Sequence, residues 1–218
     1  MTTELHWEWR GFGGVSSRFI QQFCDLPLVA EAEVVEDLYL LIPDLYINTK
    51  FRTGAEGGLK FKRLKKKDSD FEKWLEDTDE LFDFPLSYSA WKTFRNTLKK
   101  VDLDLPEYPA EPLDRDTTLD YLTSTGCKPV QVKKNRESRL LKVSGGKVKI
   151  EWVCVSKPQS LISIGIENWT DFDAKPKNDV SKKNDLIEAI ETLMLEREPL
   201  KIVNYLDAVK MWAAGKKI

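Results

Sequence analysis

The stretch that spans residues 50–62 is Lys-Phe-Arg-Thr-Gly-Ala-Glu-Gly-Gly-Leu-Lys-Phe-Lys. Two short runs in it alternate charged and apolar residues, and a glycine-rich segment separates them. Side chains on a β-strand point to opposite faces with a period of two, so each run predicts a strand with one cationic and one apolar face. Glycine clusters between such runs are typical of hairpin turns. We therefore predict an antiparallel hairpin, 46–53 with 58–65, that places its cations on one face.

The same alternation recurs along the chain and predicts further strands. Lys134 and Arg136 repeat the cationic face, whereas Glu8, Glu151 and Glu167 put carboxylates on the equivalent face of other strands. A curled sheet can enclose its charged face while its apolar face packs on helices. The fold class is therefore α+β, a mostly antiparallel closed β-barrel, or tunnel, with helices packed outside. The predicted strands beside the hairpin are 4–10, 34–42, 130–141, 147–156 and 160–168.

Helical periodicity predicts where the outer layer comes from. Apolar residues at helical spacing predict helices over 15–24, 69–82, 87–100, 184–197 and 200–213. The proline-rich acidic segment 102–117 and the polar segment 170–183 predict loops. We expect residues 1–218 to form a single domain, with a helical segment about 69–100 between two strand sets and C-terminal helices about 184–213.

Composition narrows the classes of function. Charged residues make up 32% of the 218 residues, above the typical quarter, while the net charge is only -2. That balance does not favour nucleic acid as a partner, so an anion site must come from local clustering. We find no signal peptide and no apolar run long enough for a membrane span, which predicts a cytoplasmic protein without membrane contact. Cys24, Cys127 and Cys154 form no CxxC pair, which argues against a zinc ribbon. The sequence leaves the oligomeric state open.

The inward cations form a candidate anion site. Like charges on one face repel each other unless water or a bound anion separates them. Lysine point charges and arginine forks suit phosphate oxygens. The alternative is a sheet face that is simply solvated. The candidate phosphate-binding residues are Arg10, Lys50, Arg52, Lys60, Lys62, Lys134 and Arg136.

The inward carboxylates form a candidate metal site. Glu8, Glu151 and Glu167 come from three strands, and Mg²⁺ or Mn²⁺ prefers such oxygen ligands. A metal there would bridge phosphate oxygens and activate water, so these glutamates are also the candidate catalytic residues. His6, the one histidine in the sequence, lies on the same strand face as Glu8 and is a further candidate ligand or general base. In the alternative interpretation each glutamate pairs with a neighbouring cation and His6 is incidental.

The order of these charged strands resembles that of the CYTH domain, or triphosphate tunnel metalloenzyme, family. The family begins with a Glu-x-Glu-x-Lys strand, which is similar to His-Trp-Glu-Trp-Arg at 6–10. Its Asp-x-Tyr strand is similar to Asp-Leu-Tyr at 37–39. Its Arg-rich and Lys-x-Lys strands are similar to 50–52 and 59–63. The resemblance extends from about residue 4 to about residue 212 and depends on the order and parity of the motifs.

The second half continues the resemblance, with two departures. Residues 132–136 are similar to the family's Lys-x-Arg strand, 149–151 to the strand with an acidic metal ligand, and 164–167 to its late Glu-x-Glu strand. His6 stands at the first glutamate position of the opening motif, and Gly165 at the first glutamate position of the late one. The family usually holds two metal ions on such carboxylates. The three glutamates that remain here are enough for one metal ion at most.

The resemblance implies a function and leaves alternatives. Members of the family include inorganic triphosphatases, thiamine triphosphatases and one class of adenylyl cyclase. The leading hypothesis is binding of a triphosphate-containing or polyphosphate anion in a cationic β-tunnel, with Mg²⁺- or Mn²⁺-dependent hydrolysis. The alternative is a catalytically inactive tunnel that acts as a phosphate- or nucleotide-binding sensor. A third hypothesis is an interaction protein whose charged faces are solvated.

Overall fold

A computed structural model describes residues 3–42, 46–53, 58–77, 82–98, 103, 105, 107, 113–169 and 178–218. Nine strands and five α-helices lie within these ranges. The first half contains β1 Thr3–Gly13, α1 Ser17–Cys24, β2 Leu28–Leu41, β3 Ile47–Arg52, β4 Gly58–Asp68, β5 Phe71–Asp77, α2 Tyr88–Leu98 and α3 Arg115–Ser124. The second half contains β6 Lys128–Val143, β7 Gly146–Lys157, β8 Leu161–Asn168, α4 Asp179–Leu193, β9 Leu200–Ile202 and α5 Tyr205–Ala213.

Eight of the strands close into an antiparallel barrel. The order is β5-β4-β3-β2-β6-β7-β8-β1, and β1 pairs again with β5, which joins the two edges. β1 closes the barrel because its first half pairs with β5, from Thr3↔Asp77 to Trp9↔Phe71, and its second half pairs with β8. β9 pairs with the end of β1. The predicted α+β closed barrel is confirmed, as is the hairpin of β3 and β4.

Two apolar clusters cover the outside of the barrel. Trp7, Ile150 and Ile166, which face outward on β1, β7 and β8, pack with buried residues of α1 and α4. Phe51 and Leu59 on β3 and β4 pack with α2 and with Leu122 of α3. Alternation along each strand therefore sends apolar side chains to the helices and leaves the opposite face inside.

A third apolar cluster lies within the barrel and involves α5. Tyr205, Ala208, Val209 and Trp212 of this helix pack with inward side chains such as Phe12, and with Tyr39, Val132, Val153 and Val155 of three further strands. The Asn204 side chain accepts a hydrogen bond from the Asp207 amide and caps the helix at its N-terminus. The helix thus supplies an apolar layer next to the charged part of the interior.

The predicted helix 69–82 is wrong. Phe71–Asp77 is the strand β5, and residues 78–81 lie outside the described residues. Phe71, Trp74 and Leu75 fit a helical period, but the residues buried in the strand alternate as Glu72, Trp74 and Glu76. Two of these three are carboxylates, which a search for apolar periodicity counts as exposed. The helical segment between the strand sets is consequently shorter than the predicted 69–100.

Other boundaries shift as well. The predicted helix 200–213 is wrong in its first turn, because Leu200–Ile202 pairs with β1 and the helix starts at Tyr205. The helix expected over 184–197 begins earlier, at Asp179, and ends at Leu193, where the capping residue Met194 has a left-handed φ of 53°. Arg115–Ser124 is a helix that Asp114 caps. This helix begins inside the segment 102–117, which was predicted as a loop. Within the described ranges, no helix is long and apolar enough to cross a membrane.

Candidate functional site

The barrel encloses a charged cavity of about 250 Å³. All ten charged residues predicted to carry phosphate-binding, catalytic or metal roles line it, because the sequence parity places them on inward faces. Their roles stay predictions. The inward residues that line the cavity are Glu8, Arg10, Lys50, Arg52, Lys60, Lys62, Lys134, Arg136, Glu151 and Glu167.

Three cations share the carboxylate of Asp37 on one side of the cavity. Lys50 Nζ and Lys134 Nζ lie 3.3 and 3.0 Å from Asp37 Oδ2, and Arg52 Nε donates to Oδ1 at 3.1 Å. Burial alone would raise the pKa of Asp37, but the three cations outweigh it and hold that pKa far below its ordinary range. Burial, with Lys134 and Arg52 nearby, lowers the pKa of Lys50 well below 10.5 in spite of Asp37. The burial of Lys50 therefore disfavours its protonated form despite the neighbouring carboxylate.

Two more lysines share the carboxylate of Glu76 on β5. Lys62 Nζ lies 2.9 Å from Glu76 Oε2, and Lys60 pairs with Oε1. Burial would raise the pKa of Glu76, yet the two lysines lower it strongly. Burial also lowers the pKa of Lys60, whereas Glu76, Glu167 and Glu8 together overcome the burial of Lys62 and raise its pKa. We call Lys50, Lys60, Lys62 and Lys134 the lysine wall.

The three predicted metal-binding glutamates converge on a guanidinium group. Arg10 Nε donates to Glu8 Oε1 at 2.7 Å, and Nη2 donates to Glu151 Oε2 at 2.9 Å and lies 3.6 Å from Glu167 Oε1. Nη1 donates to Ser163 Oγ at 3.2 Å. The ring of Tyr205 covers the group, with Arg10 Cζ 4.7 Å from its centroid. Arg10 is therefore held on several sides.

Arg10 also sets the ionisation of its partners. Burial would raise the pKa of Glu8, but Arg10 is the main opposing charge and lowers it to about 2. The pKa of Glu151 is likewise lowered, against its burial, chiefly by Arg10. For Glu167 the opposing cations are Lys149, whose Nζ lies 2.6 Å from Oε2, and Lys62, and they hold its pKa well below 4.5 against burial. Three carboxylates therefore stay ionised beside one another.

Gly165 makes room for the guanidinium. It pairs with Arg10 on β1 and with Glu151 on β7. A Cβ atom at Gly165 would lie 2.5 Å from Arg10 Nη2 and 2.7 Å from Cζ, closer than such atoms come in proteins. Any other side chain at this position would therefore displace the guanidinium from its present place.

The arrangement does not fit a divalent ion in its present form. In the described ranges, no three His, Cys, Asp or Glu side chains are grouped so that they could hold a metal. The oxygens of Glu8, Glu151 and Glu167 instead surround Arg10, whose positive charge would repel a second cation. Mg²⁺ or Mn²⁺ stays an untested prediction.

His6 lies behind the cavity wall. It is fully buried, and its ring stacks on Trp169 with centroids 4.2 Å apart. Nε2 is 3.9 Å from Glu8 Oε2, and neither ring nitrogen has a hydrogen-bond partner in the described part of the chain. Trp169 lines the cavity and donates its indole N–H to Glu167 Oε2 at 2.6 Å. His6 thus supports Trp169 from behind, and its predicted role as a ligand is untested.

Sequence reasoning missed several lining residues for different reasons. Lys149 is two residues from Glu151 on the same strand, so alternation alone places its side chain on the inward face. Glu76 was not a candidate because residues 69–82 were predicted to be a helix. Asn204 and Tyr205 come from the start of α5, and no strand alternation leads to them. The remaining lining residues are Tyr39, Asn48, Trp74 and Trp169.

No family model matches the chain, and no curated protein matches it either. The fold is similar to that of a conserved hypothetical protein from Pyrococcus furiosus, with 16% identity, a TM-score of 0.50, and coverage of 92% of this chain and 98% of that one. At that identity the likeness concerns the fold alone.

Two further solved structures have lower TM-scores. One is a Pyrococcus horikoshii OT3 protein, with 14% identity, a TM-score of 0.47, and coverage of 94% of this chain and 99% of that chain. The other is a Bacillus halodurans protein described as a "putative adenylate cyclase", with 12% identity, a TM-score of 0.44, and coverage of 95% and 98%.

Proposed function

We propose that the protein binds a triphosphate-containing or other polyphosphate anion in the charged cavity of its barrel. The lysine wall carries the proposal. Its four lysines line one cavity and share two carboxylates, Asp37 and Glu76, so the wall holds more positive than negative charge. An anion with several phosphate groups would bridge the lysines and relieve their repulsion. Arg136 also lines the cavity, and it pairs with the exposed Glu33.

We infer further that the chain is a divergent member of the CYTH, or triphosphate tunnel, family. The closed barrel and the inward position of every charged motif support this inference. Binding without turnover is favoured over metal-dependent hydrolysis, because Arg10 occupies the space among the three glutamates. Cytoplasmic location, like Mg²⁺ or Mn²⁺ dependence, stays a prediction.

Calorimetric titration with inorganic tripolyphosphate, pyrophosphate and phosphate, in EDTA and at matched ionic strength, tests the binding. We expect affinity to rise with the length of the anion, since a longer anion contacts more lysines. Equally weak heats for all three anions would indicate screening of surface charge and would contradict the proposal.

A phosphate-release assay separates binding from hydrolysis. Tripolyphosphate and a nucleoside triphosphate are incubated with the protein and Mg²⁺ or Mn²⁺. We expect no release above that of a Glu167→Gln control. Metal-dependent release by the wild type that is lost in Glu167→Gln would establish the triphosphatase alternative.

A further inference from the structure

We propose that the guanidinium of Arg10 takes the place of a divalent cation among Glu8, Glu151 and Glu167, so that the cavity binds its anion without a metal ion. The first part of the proposal, that Arg10 replaces a cation, concerns the carboxylates alone. The second part, that the anion binds without a metal ion, rests on the proposed function. Both parts follow from where Arg10 lies and from what surrounds it.

The guanidinium occupies the point on which the carboxylates converge. The shortest distances from its nitrogens to Glu8, Glu151 and Glu167 are 2.7, 2.9 and 3.6 Å. The three glutamates come from β1, β7 and β8, which are neighbours in the barrel, and Glu8 pairs directly with Glu167. An ion bound by all three would have to lie where the guanidinium is now. Arg10 is 4% exposed, so the guanidinium lies out of bulk solvent.

Gly165 shows that the neighbouring strand is adapted to this guanidinium. The glycine lies directly opposite Arg10, and a Cβ there would overlap Nη2 and Cζ. Arginine is also larger than lysine and spreads its donors in a planar fork, which lets one group contact several carboxylates. Arg10 and Gly165 therefore lie opposite each other on neighbouring strands, and the glycine leaves the space that the guanidinium fills.

Two cations already offset most of the charge of the three carboxylates without a metal. Arg10 contacts all three glutamates, and Lys149 pairs with Glu167 as well. A divalent ion placed beside Arg10 would meet a like charge in a buried setting, where repulsion is poorly screened. On the opposite side, the lysine wall supplies positive charge that a metal would otherwise bring to an anion.

The consequence is a division of the cavity. Arg10 offsets part of the negative charge on the acidic side, and Ser163 and Tyr205 contact its guanidinium. The lysine wall is left to contact the anion. A bound triphosphate would then stay intact, since the cavity offers no metal-activated water to attack it.

Titration with Mn²⁺ alone, followed by the electron paramagnetic resonance signal of the free ion, tests the first part. We expect the wild type to leave Mn²⁺ free at millimolar concentration. Arg10→Ala should bind one Mn²⁺ at least tenfold more tightly than the wild type, because it leaves three carboxylates without their guanidinium. Gly165→Ala, which displaces the guanidinium but retains it, is the second variant should Arg10→Ala fail to fold, and it should also gain Mn²⁺ binding.

Ser163→Ala is the matched control. It removes one contact of Arg10 at 3.2 Å from the same strand as Gly165 and leaves the guanidinium among the carboxylates, so it should gain no Mn²⁺ binding. Stoichiometric Mn²⁺ binding by the wild type that is lost in Glu167→Gln would overturn the proposal. A folded Arg10→Ala or Gly165→Ala variant without any gain of Mn²⁺ binding would also overturn it.

Tripolyphosphate titrations of the wild type distinguish the two proposals. Saturable binding in EDTA supports both. Binding that appears only when Mn²⁺ is added refutes the metal-free site and retains the proposed function. Absence of tripolyphosphate binding under either condition refutes the proposed function, and the Mn²⁺ titration then decides the role of Arg10 by itself.

Discussion

At the residue scale, Lys134 is the cleanest probe of the lysine wall. Asp37 keeps Lys50 and Arg52 as partners when Lys134 is replaced, so Lys134→Met leaves no buried carboxylate without a cation. A charge-assisted hydrogen bond contributes about 1.5–3 kcal/mol. We therefore expect tripolyphosphate affinity to fall by roughly one to two orders of magnitude, as measured by calorimetry.

Lys128 provides the control for Lys134. It lies on the same strand, is exposed and does not line the cavity. Lys128→Met removes the same charge from the whole molecule, so its affinity should stay near that of the wild type. Equal losses in the two variants would indicate a general effect of net charge and would argue against a site.

Lys50 predicts a pH dependence. Its pKa lies well below 10.5, chiefly because it is buried, and a bound anion would raise that pKa again. Anion binding should therefore take up protons, and affinity should fall as pH rises through the lowered pKa of the free protein. In the free protein the unfolded chain binds more protons than the folded one across this range, so the contribution of Lys50 to stability rises with pH.

Calorimetry in buffers of different ionisation enthalpy measures the proton uptake. Tripolyphosphate itself titrates in the alkaline range, but this effect is common to the wild type and Lys50→Met. The difference between the two proteins isolates Lys50. No difference in proton uptake would show that Lys50 does not sense the anion.

At the element scale, the alternation of side chains along strands accounts for most of the correct predictions of inward residues. Over 4–10 in β1, 50–52 in β3 and 59–62 in β4 the charged and apolar residues alternate, so placing one inward residue places the rest of each run. That is why Glu8 and Arg10 could be placed on the inward face from the sequence. The convergence of three glutamates on Arg10 was not predictable, because it depends on the register between β1, β7 and β8.

β5 shows where the interpretation failed. Its sequence, Phe-Glu-Lys-Trp-Leu-Glu-Asp, fits a helical stripe as well as a strand. Pairing with β4 on one side and β1 on the other decides the conformation, since these ladders satisfy its backbone and close the barrel. Tertiary contacts therefore override the local pattern. Because the strand was predicted as a helix, Glu76 was missing from the predicted site.

Glu76→Gln tests the contribution of β5 to the site. The change leaves Lys60 and Lys62 without their shared carboxylate, and removing one partner of a buried ion pair costs about 3–5 kcal/mol. We expect a lower melting temperature for the variant. Saturating tripolyphosphate should restore more stability to the variant than it adds to the wild type, because the anion replaces the lost negative charge.

Glu196→Gln is the control for Glu76→Gln. Glu196 is an exposed carboxylate, paired with Arg197 on the surface, and exposed pairs contribute little to stability. Its melting temperature and its response to tripolyphosphate should match those of the wild type. An equal response of both variants to the anion would contradict a role for Glu76 in the cavity.

At the scale of the whole molecule, closure of the barrel explains how one chain keeps so many charges inside. The apolar side chains on the outer face of the barrel are buried against α1 to α4, and α5 adds an apolar layer within the barrel. The charged cavity is left between these layers, with acids around Arg10 on β1, β7 and β8 and lysines on β3, β4 and β6. Arg10 and Lys149 offset most of the negative charge on the acidic side, whereas the four lysines of the wall outnumber the two carboxylates that they share.

A crystal structure of the protein grown with tripolyphosphate in EDTA tests this account most directly. We predict phosphate groups within hydrogen-bond distance of the Nζ atoms of Lys50, Lys60, Lys62 and Lys134, with Arg10 still bound to Glu8 and Glu151. A cavity that holds only solvent at saturating tripolyphosphate, with the anion on outer surface lysines or nowhere, would contradict the account.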